Sequence, residues 1–269
     1  STTDFFMPVV DDAFEFGRIA ATNAISDIYA MGGTPLLAIA ILGWPVDKLP
    51  AELAGQVLSG AKSICNDADI PLAGGHSVES AEPFFGLAVN GLVGLKNVKR
   101  NNTAMPGDLL FITKPIGLGI ITTAAKRNEV KEEDLAFAIK LMTTLNKAGI
   151  ALGSLDGISA ITDITGFGLL GHLVEMAEGS GCSVEIHFDK LPLINRIDYY
   201  LDKYIFPEKT TKNFSAYSNK VNELNARQLF ITCDPQTSGG LLVAVKPDFV
   251  NDYLAIANEY GLGHAGTEP

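Results

Sequence analysis

The chain has 269 residues, 47% of them apolar, with 20 Lys and Arg against 31 Asp and Glu for a formal charge of −11. That composition supplies a full core and excludes wholesale disorder, and the length suits one large domain or two ordinary ones. The acidic balance excludes a surface for the nucleic-acid backbone, and no apolar run reaches the ~18 residues of a membrane span, but acids that hold Mg²⁺ can still handle phosphates.

Strands and helices alternate along the chain. Ser1-Thr2-Thr3-Asp4-Phe5-Phe6 reads as the middle of a strand with no initiator Met, and Gly261 to Pro269 stops where a strand should begin, so a fragment is expected. Ile19 to Met31 is an Ala- and Ile-rich helix closed by Gly32-Gly33, because glycine enters φ > 0 freely. Leu36 to Leu42 has the continuous apolar form of a buried strand. Pro50 opens a helix whose Leu53, Val57, Ala61, Ile64 and Cys65 share one face. A short strand then leads into a turn at Gly74-Gly75-His76-Ser77, and Phe85, Leu87 and Val89 alternate as a strand.

Asn101 to Gly107 is polar and ends in Pro-Gly, which sets a boundary between two α+β domains, 1–106 and 107–269. Beyond it come a strand (Leu109 to Thr113), a glycine-spaced turn (Pro115 to Gly119) and a helix. A second helix carries Leu135, Ile139, Met142 and Leu145. Leu169, Leu170, Leu173 and Ala177 mark a further helix, and Val184, Ile186 and Phe188 alternate as a strand. Leu191 to Arg227 reads as a surface excursion with short helices. Leu229 to Thr232 and Leu241 to Val245 read as strands around the loop Asp234 to Gly240, and a last helix carries Val250, Tyr253, Leu254 and Ala257.

Four groups of residues could carry chemistry. Asp4 lies among apolar strand residues, where an acid needs a partner or a metal unless it faces water at a strand end. Asn23 and Asp27 are four apart and share a helix face. They read either as a solvated polar stripe or as a Mg²⁺- and phosphate-handling pair. Gly74-Gly75-His76-Ser77 is either a plain tight turn or a nest of N–H groups for an anion. Asp163, in Thr162-Asp163-Ile164-Thr165-Gly166-Phe167-Gly168, joins a strand to a helix. It is placed to hold a phosphate-bound cation, while capping by it or by Thr165 is the bland alternative.

Other features exclude chemistry. Gly117-x-Gly119 falls short of a dinucleotide fingerprint, and there is no Walker sequence. Cys65, Cys182 and Cys233 have no disulfide or zinc spacing and read as free thiols in a reducing cytoplasm. His76, His172, His187 and His264 have no metal-ligand spacing among themselves. By themselves these residues indicate a metal- and phosphate-handling α+β protein.

Longer segments carry a resemblance. Thr2 to Pro8, Gly17 to Gly33, Ala73 to Ser77, Thr162 to Leu173 and Asp234 to Leu242 resemble the selenophosphate synthetase (selenide, water dikinase) family, in the family's order and over nearly the whole chain. Ser-Asp-Ile-Tyr-Ala-Met-Gly-Gly and Asp-Pro-Gln-Thr-Ser-Gly-Gly-Leu-Leu also occur, with variations, in the wider aminoimidazole ribonucleotide synthetase-like superfamily. Thr-Asp-Phe-Phe narrows the match.

The resemblance implies an N-terminal domain whose strands close a barrel in a homodimer, followed by a C-terminal α+β sandwich. It implies ATP, selenide and water giving selenophosphate, AMP and phosphate, with Mg²⁺, and K⁺ as a further cation. It assigns Asp4, Asp27 and Asp163 to metal-bridged ATP phosphates and Asn23, Gly75, His76 and Ser77 to nucleotide contacts. The family's reactive Cys or selenocysteine, its Lys and a further Asp-Asp motif would lie upstream of Ser1. No residue here matches that nucleophile, and the chain by itself is expected to make little or no selenophosphate. The alternatives are another ATP-using superfamily enzyme (aminoimidazole ribonucleotide synthetase or thiamine-phosphate kinase), a non-catalytic nucleotide-binding paralogue, or a purely structural dimerisation module.

Overall fold

A computed structural model describes residues 1–262. Two antiparallel-rich sheets organise it. The first has the order β1-β4-β2-β3, from β1 (Thr2–Phe6), β2 (Thr34–Trp44), β3 (Leu72–Glu79) and β4 (Phe84–Leu92). Helices α1 (Ala13–Ala30) and α2 (Ala51–Asp67) cover one face, where Ala38, Ala40, Leu42, Phe85, Leu87 and Val89 are buried against them. The side-chain period of two sends Phe5, Ile39 and Val78 to the other face, where they are 50%, 42% and 44% exposed.

The second sheet has the order β5-β7-β6, from β5 (Leu109–Ile112), β6 (Ile158–Asp163) and β7 (Leu241–Val245). Both outer strands run antiparallel to β7, so the C-terminal ends of β5 and β6 lie beside the start of β7. On one side of this sheet lie α3 (Leu118–Lys126), α4 (Glu132–Met142) and α6 (Gly168–Ser180); on the other lie α5 (Ala148–Ser154) and α10 (Val250–Glu259). Three short helices, α7 (Ile197–Leu201), α8 (Glu208–Tyr217) and α9 (Ala226–Thr232), occupy the excursion and its end.

Helix α1 serves both halves of the molecule. Most of its buried side chains belong to the first core, but Ile19 joins the core of the second sheet and Ala30 joins the α5–α10 side. Its polar stripe therefore faces the seam between the sheets. Asp12 caps its start by accepting from Glu15 N at 2.8 Å, and Gly32 at φ +74° turns the chain away at its end.

The structure departs from the sequence reading at several places; α4, for one, ends at Met142, so Leu145 lies beyond it. Gly74 to Ser77 is no turn, since it lies inside the continuous edge strand β3, in register with Ile39 to Leu42. Leu229 to Thr232 is the end of α9, because Asn225 and Gln228 form a reciprocal capping box that starts a helix. Val184, Ile186 and Phe188 pack on the second core but join no strand among the described residues; a groove of about 480 Å³ separates this segment from β5. Most of Gly261 to Pro269, His264 included, lies outside the described residues.

The crossing of α1 and α2 admits no side chain at two positions. A Cβ on Gly60 would stand 2.0 Å from the Phe14 carbonyl oxygen, and one on Gly17 would stand 1.9 Å from that of Val57. Gly60→Ala should therefore force the helices apart and lower stability by about 1–3 kcal/mol, read as a fall in the chemical-denaturation midpoint.

Candidate active site: an acidic seam between the two sheets

The alternation of β1 places Thr2, Asp4 and Phe6 towards α1 and turns Thr3 and Phe5 outward. The helical repeat of α1 aligns Asn23 and Asp27 one turn apart. These two rows exchange hydrogen bonds crosswise: Asn23 donates its side-chain amide to Asp4, and the Thr2 hydroxyl donates to Asp27. Asp163 ends β6 across the seam and is 6% exposed.

Asp4 and Asp163 both feel the charge of Asp27. Burial raises the Asp4 pKa and Asp27 raises it further, against the bond from Asn23. Burial raises the Asp163 pKa more strongly, with added repulsion from Asp27 and Asp4 and opposition from the Ser26 hydroxyl. Among the described residues none of the three makes an ion pair. No three acidic, His or Cys side chains there approach closely enough to form a metal cage by themselves. That donor set fits Mg²⁺, which takes hard oxygen ligands and usually binds through one or two carboxylates with phosphates and water completing the shell.

The loop before β7 closes the seam. Ser238, at φ +52°, donates its N–H to Asn23 Oδ1 at 2.8 Å and accepts from Lys114 Nζ at 2.9 Å. Lys114 also donates to the Thr144 carbonyl at 2.7 Å. Its burial pulls the ammonium pKa down to about 7, against the attraction of Asp163. Gly239 allows the close approach, since a Cβ there would lie 2.2 Å from the Ile164 carbonyl oxygen.

Asp163 and Thr165 do not cap α6. The first residue before that helix, Phe167, makes no side-chain cap, and Thr165 N–H is bound by His172 Nε2 at 2.9 Å. Asp4, Asn23, Asp27 and Asp163 are thus brought to one seam. Gly75, His76 and Ser77 are not, because β3 and β1 are opposite edges of the first sheet, about 14 Å apart at the usual strand spacing.

Sequence reasoning missed Lys114, Ser26 and Asn146. Lys114 carried a usable signal, a charge directly after an apolar strand and before Pro115. Ser26 and Asn146 carried none, for each looks like an ordinary helix or turn residue until the two sheets meet. Cys65 and Cys233 are buried, and burial pushes both thiols up to about 11, so neither is an activated nucleophile.

The comparisons with known proteins agree along the whole chain. Residues 1–93 match the family described as AIR synthase related protein, N-terminal domain, and residues 105–266 match its C-terminal domain. The chain is 55% identical to a selenide, water dikinase of Pseudomonas putida over 262 residues, 97% of this chain and 76% of that protein. It is 56% identical to one from Bordetella bronchiseptica with the same coverage. Among solved structures, a thiamine-monophosphate kinase from Stenotrophomonas maltophilia superposes with a TM-score of 0.75 at 18% identity, covering 97% of this chain and 78% of that one. The hydrogenase maturation protein HypE in complex with ATP gives 0.71 at 17% identity, covering 96% and 72%. These last two share the fold.

A second buried acid lies behind the loop. Burial pushes the Asp234 carboxyl up to about 8, against bonds from Gln236 and the Gly119 N–H. The unfolded chain releases this proton near its ordinary value of 3.8. Between roughly pH 4 and pH 8 the folded protein therefore holds a proton that the unfolded chain has lost, and stability falls as pH rises through that window. Asp234→Asn cannot ionise. The Tm difference between variant and wild type should move in the variant's favour from about pH 5 to about pH 8.

Proposed function

Because the chain belongs to the selenide, water dikinase family within the AIR synthase related proteins, we propose that the acidic seam is where it holds ATP through Mg²⁺. Its activity is that of the family, selenophosphate synthesis from selenide. A dikinase has two phosphoryl acceptors, so selenide and water would take the phosphoryl groups of ATP and leave AMP. The observation that carries the site reading is the convergence of Asp4, Asp27 and Asp163 from β1, α1 and β6 with no cation partner among the described residues.

In this reading Asp27 and Asp163 hold Mg²⁺ with Asp4 beside them, and the metal neutralises charge on the transferring phosphoryl group. Asn23 keeps Asp4 oriented and ties the Ser238 loop to the site. Exclusion of water follows from the closed seam, where Asn23 and Ser238 are 5% and 1% exposed. K⁺ as a further cation and a cytoplasmic location belong to the same proposal. Among the described residues no helix is long and apolar enough to cross a membrane. The domain boundary is proposed at residues 106 and 107.

Calorimetric titration of Mg²⁺-ATP should give saturable binding. Asp27→Asn and Asp163→Asn should each weaken it by about tenfold or more. Unchanged affinity in both variants would refute the metal site.

A homodimer is part of the proposal. Its support is the exposed apolar face bearing Phe5, Ile39 and Val78, continuous with the exposed edge strand β3. Gly75, His76 and Ser77 lie on the opposite edge of the first sheet from Asp4. A second copy packed on this face would bring its own β3 edge to the site. Mixing Asp27→Asn chains with His76→Ala/Ser77→Ala chains should then restore about a quarter of the wild-type ATP sites, since half of randomly paired dimers are mixed and each has one intact site. No recovery between two well-folded variants would rule out a shared site.

A further inference from the structure

The loop before β7 turns at Ser238, which is 1% exposed and sits at φ +52°, in the left-handed region that costs a non-glycine residue free energy. Such a conformation persists only where the surroundings enforce it. The Ser238 side chain does not enforce it, for among the described residues its buried hydroxyl makes no hydrogen bond. Two bonds to its backbone remain. The N–H donates to Asn23 Oδ1 at 2.8 Å, and the carbonyl accepts from Lys114 Nζ at 2.9 Å.

A side-chain amide has an acceptor end and a donor end, and a half-turn exchanges them. With Oδ1 of Asn23 held by the Ser238 N–H, it is the Nδ2–H that meets Asp4. In the flipped amide the oxygen would face the carboxylate and the NH2 group would face an N–H, two repulsive contacts in place of two bonds. The Ser238 N–H therefore selects the orientation in which Asn23 holds Asp4. Behind the loop, Lys114 is 4% exposed and gives a second N–H to the Thr144 carbonyl at 2.7 Å. Among the described residues it enters no ion pair. An unpaired buried ammonium is a costly way to join two carbonyls, so cohesion by itself does not account for it. An unbroken run of hydrogen bonds links Lys114, Ser238, Asn23 and Asp4, which come from the end of β5, the loop before β7, α1 and β1.

We propose that Lys114 is a positioning residue for the acidic seam, holding the Ser238 loop so that its N–H orients Asn23 and, through Asn23, the Asp4 carboxylate. This deepens the metal-site reading above and rests on it. Lys114 acts through Asn23 and not by contact with the nucleotide.

Two measurements test it. In the ligand-free protein, Lys114→Met should speed hydrogen exchange at the Ser238 N–H about tenfold or more, while the amides of β4, which report opening of the first sheet, stay unchanged. Exchange that is unchanged at Ser238, or that rises equally in β4, overturns the proposal. Calorimetry then gives the Mg²⁺-ATP affinity of wild type, Lys114→Met, Asn23→Ala and the double variant. Lys114→Met should weaken binding about tenfold, but less than about twofold when Asn23 is already Ala, because the route to Asp4 is then cut. A lysine acting by its charge alone or by general stability would weaken both backgrounds equally, and one without a role would weaken neither; each result overturns the proposal. If Asp27→Asn and Asp163→Asn leave affinity unchanged, the metal-site reading fails and takes this proposal with it, whatever exchange at Ser238 shows. Should Lys114→Met not fold, Lys114→Gln, which keeps an amide donor on a side chain one bond shorter, enters the same measurements with the same outcomes.

Discussion

Like charges confined at a seam set the terms for this structure. Asp4, Asp27 and Asp163 come from a strand, a helix and a second sheet, and each makes its neighbours harder to ionise or is made so by them. Carboxylates in such company relax by taking a proton, a cation or hydrogen-bond donors. Two have a donor from their own chain: Asn23 for Asp4 and Thr2 for Asp27. Among the described residues the one buried ammonium nearby, Lys114, is committed to two carbonyls and closes the loop rather than pairing with an acid. The negative charge left without a cation partner among the described residues is the observation on which the metal-site proposal stands.

The same seam explains how the molecule is assembled. Helix α1 buries residues in the cores of both sheets, so it cannot shift without disturbing each of them. The loop before β7 is held from both sides, by Asn23 from α1 and by Lys114 from the end of β5. Asp234 and Gln236 anchor its other end on the N-terminus of α3, where Gln236 accepts from the Gly117 and Leu118 N–H groups at 3.2 Å. Site geometry and contact between the halves are therefore maintained by one set of bonds.

Residues with a local signature were legible in the sequence. The four-residue spacing of Asn23 and Asp27 put them on one face, whereas the sequence left Asp4 open to a water-facing strand end and only the alternation seen in β1 turned it toward α1. Asp163 at a strand end was read as a site residue although Thr165 offered a simpler capping role, which the structure does not use. Where local pattern and partner availability conflict, the reading failed. Val184 to Phe188 alternates like a strand but pairs with none among the described residues, because a groove intervenes beside β5. Leu229 to Thr232 has strand-like residues, yet the capping box at Asn225 and Gln228 had already started a helix. The two glycines before His76 suggested a turn, and they instead lie flat in an edge strand.

By itself the sequence determined the α+β class, the family and the identity of the acids at the seam, because these rest on residue type, short spacing and motif order. Tertiary structure alone decided which residues share a site. It joined Asn23 to Ser238 across 215 positions and Asn146 to Ser26 across 120, and it put Asp4 and Ser77 on opposite edges of one sheet. Hydrogen bonds between distant segments follow from how sheets and helices pack, and no local period records that packing.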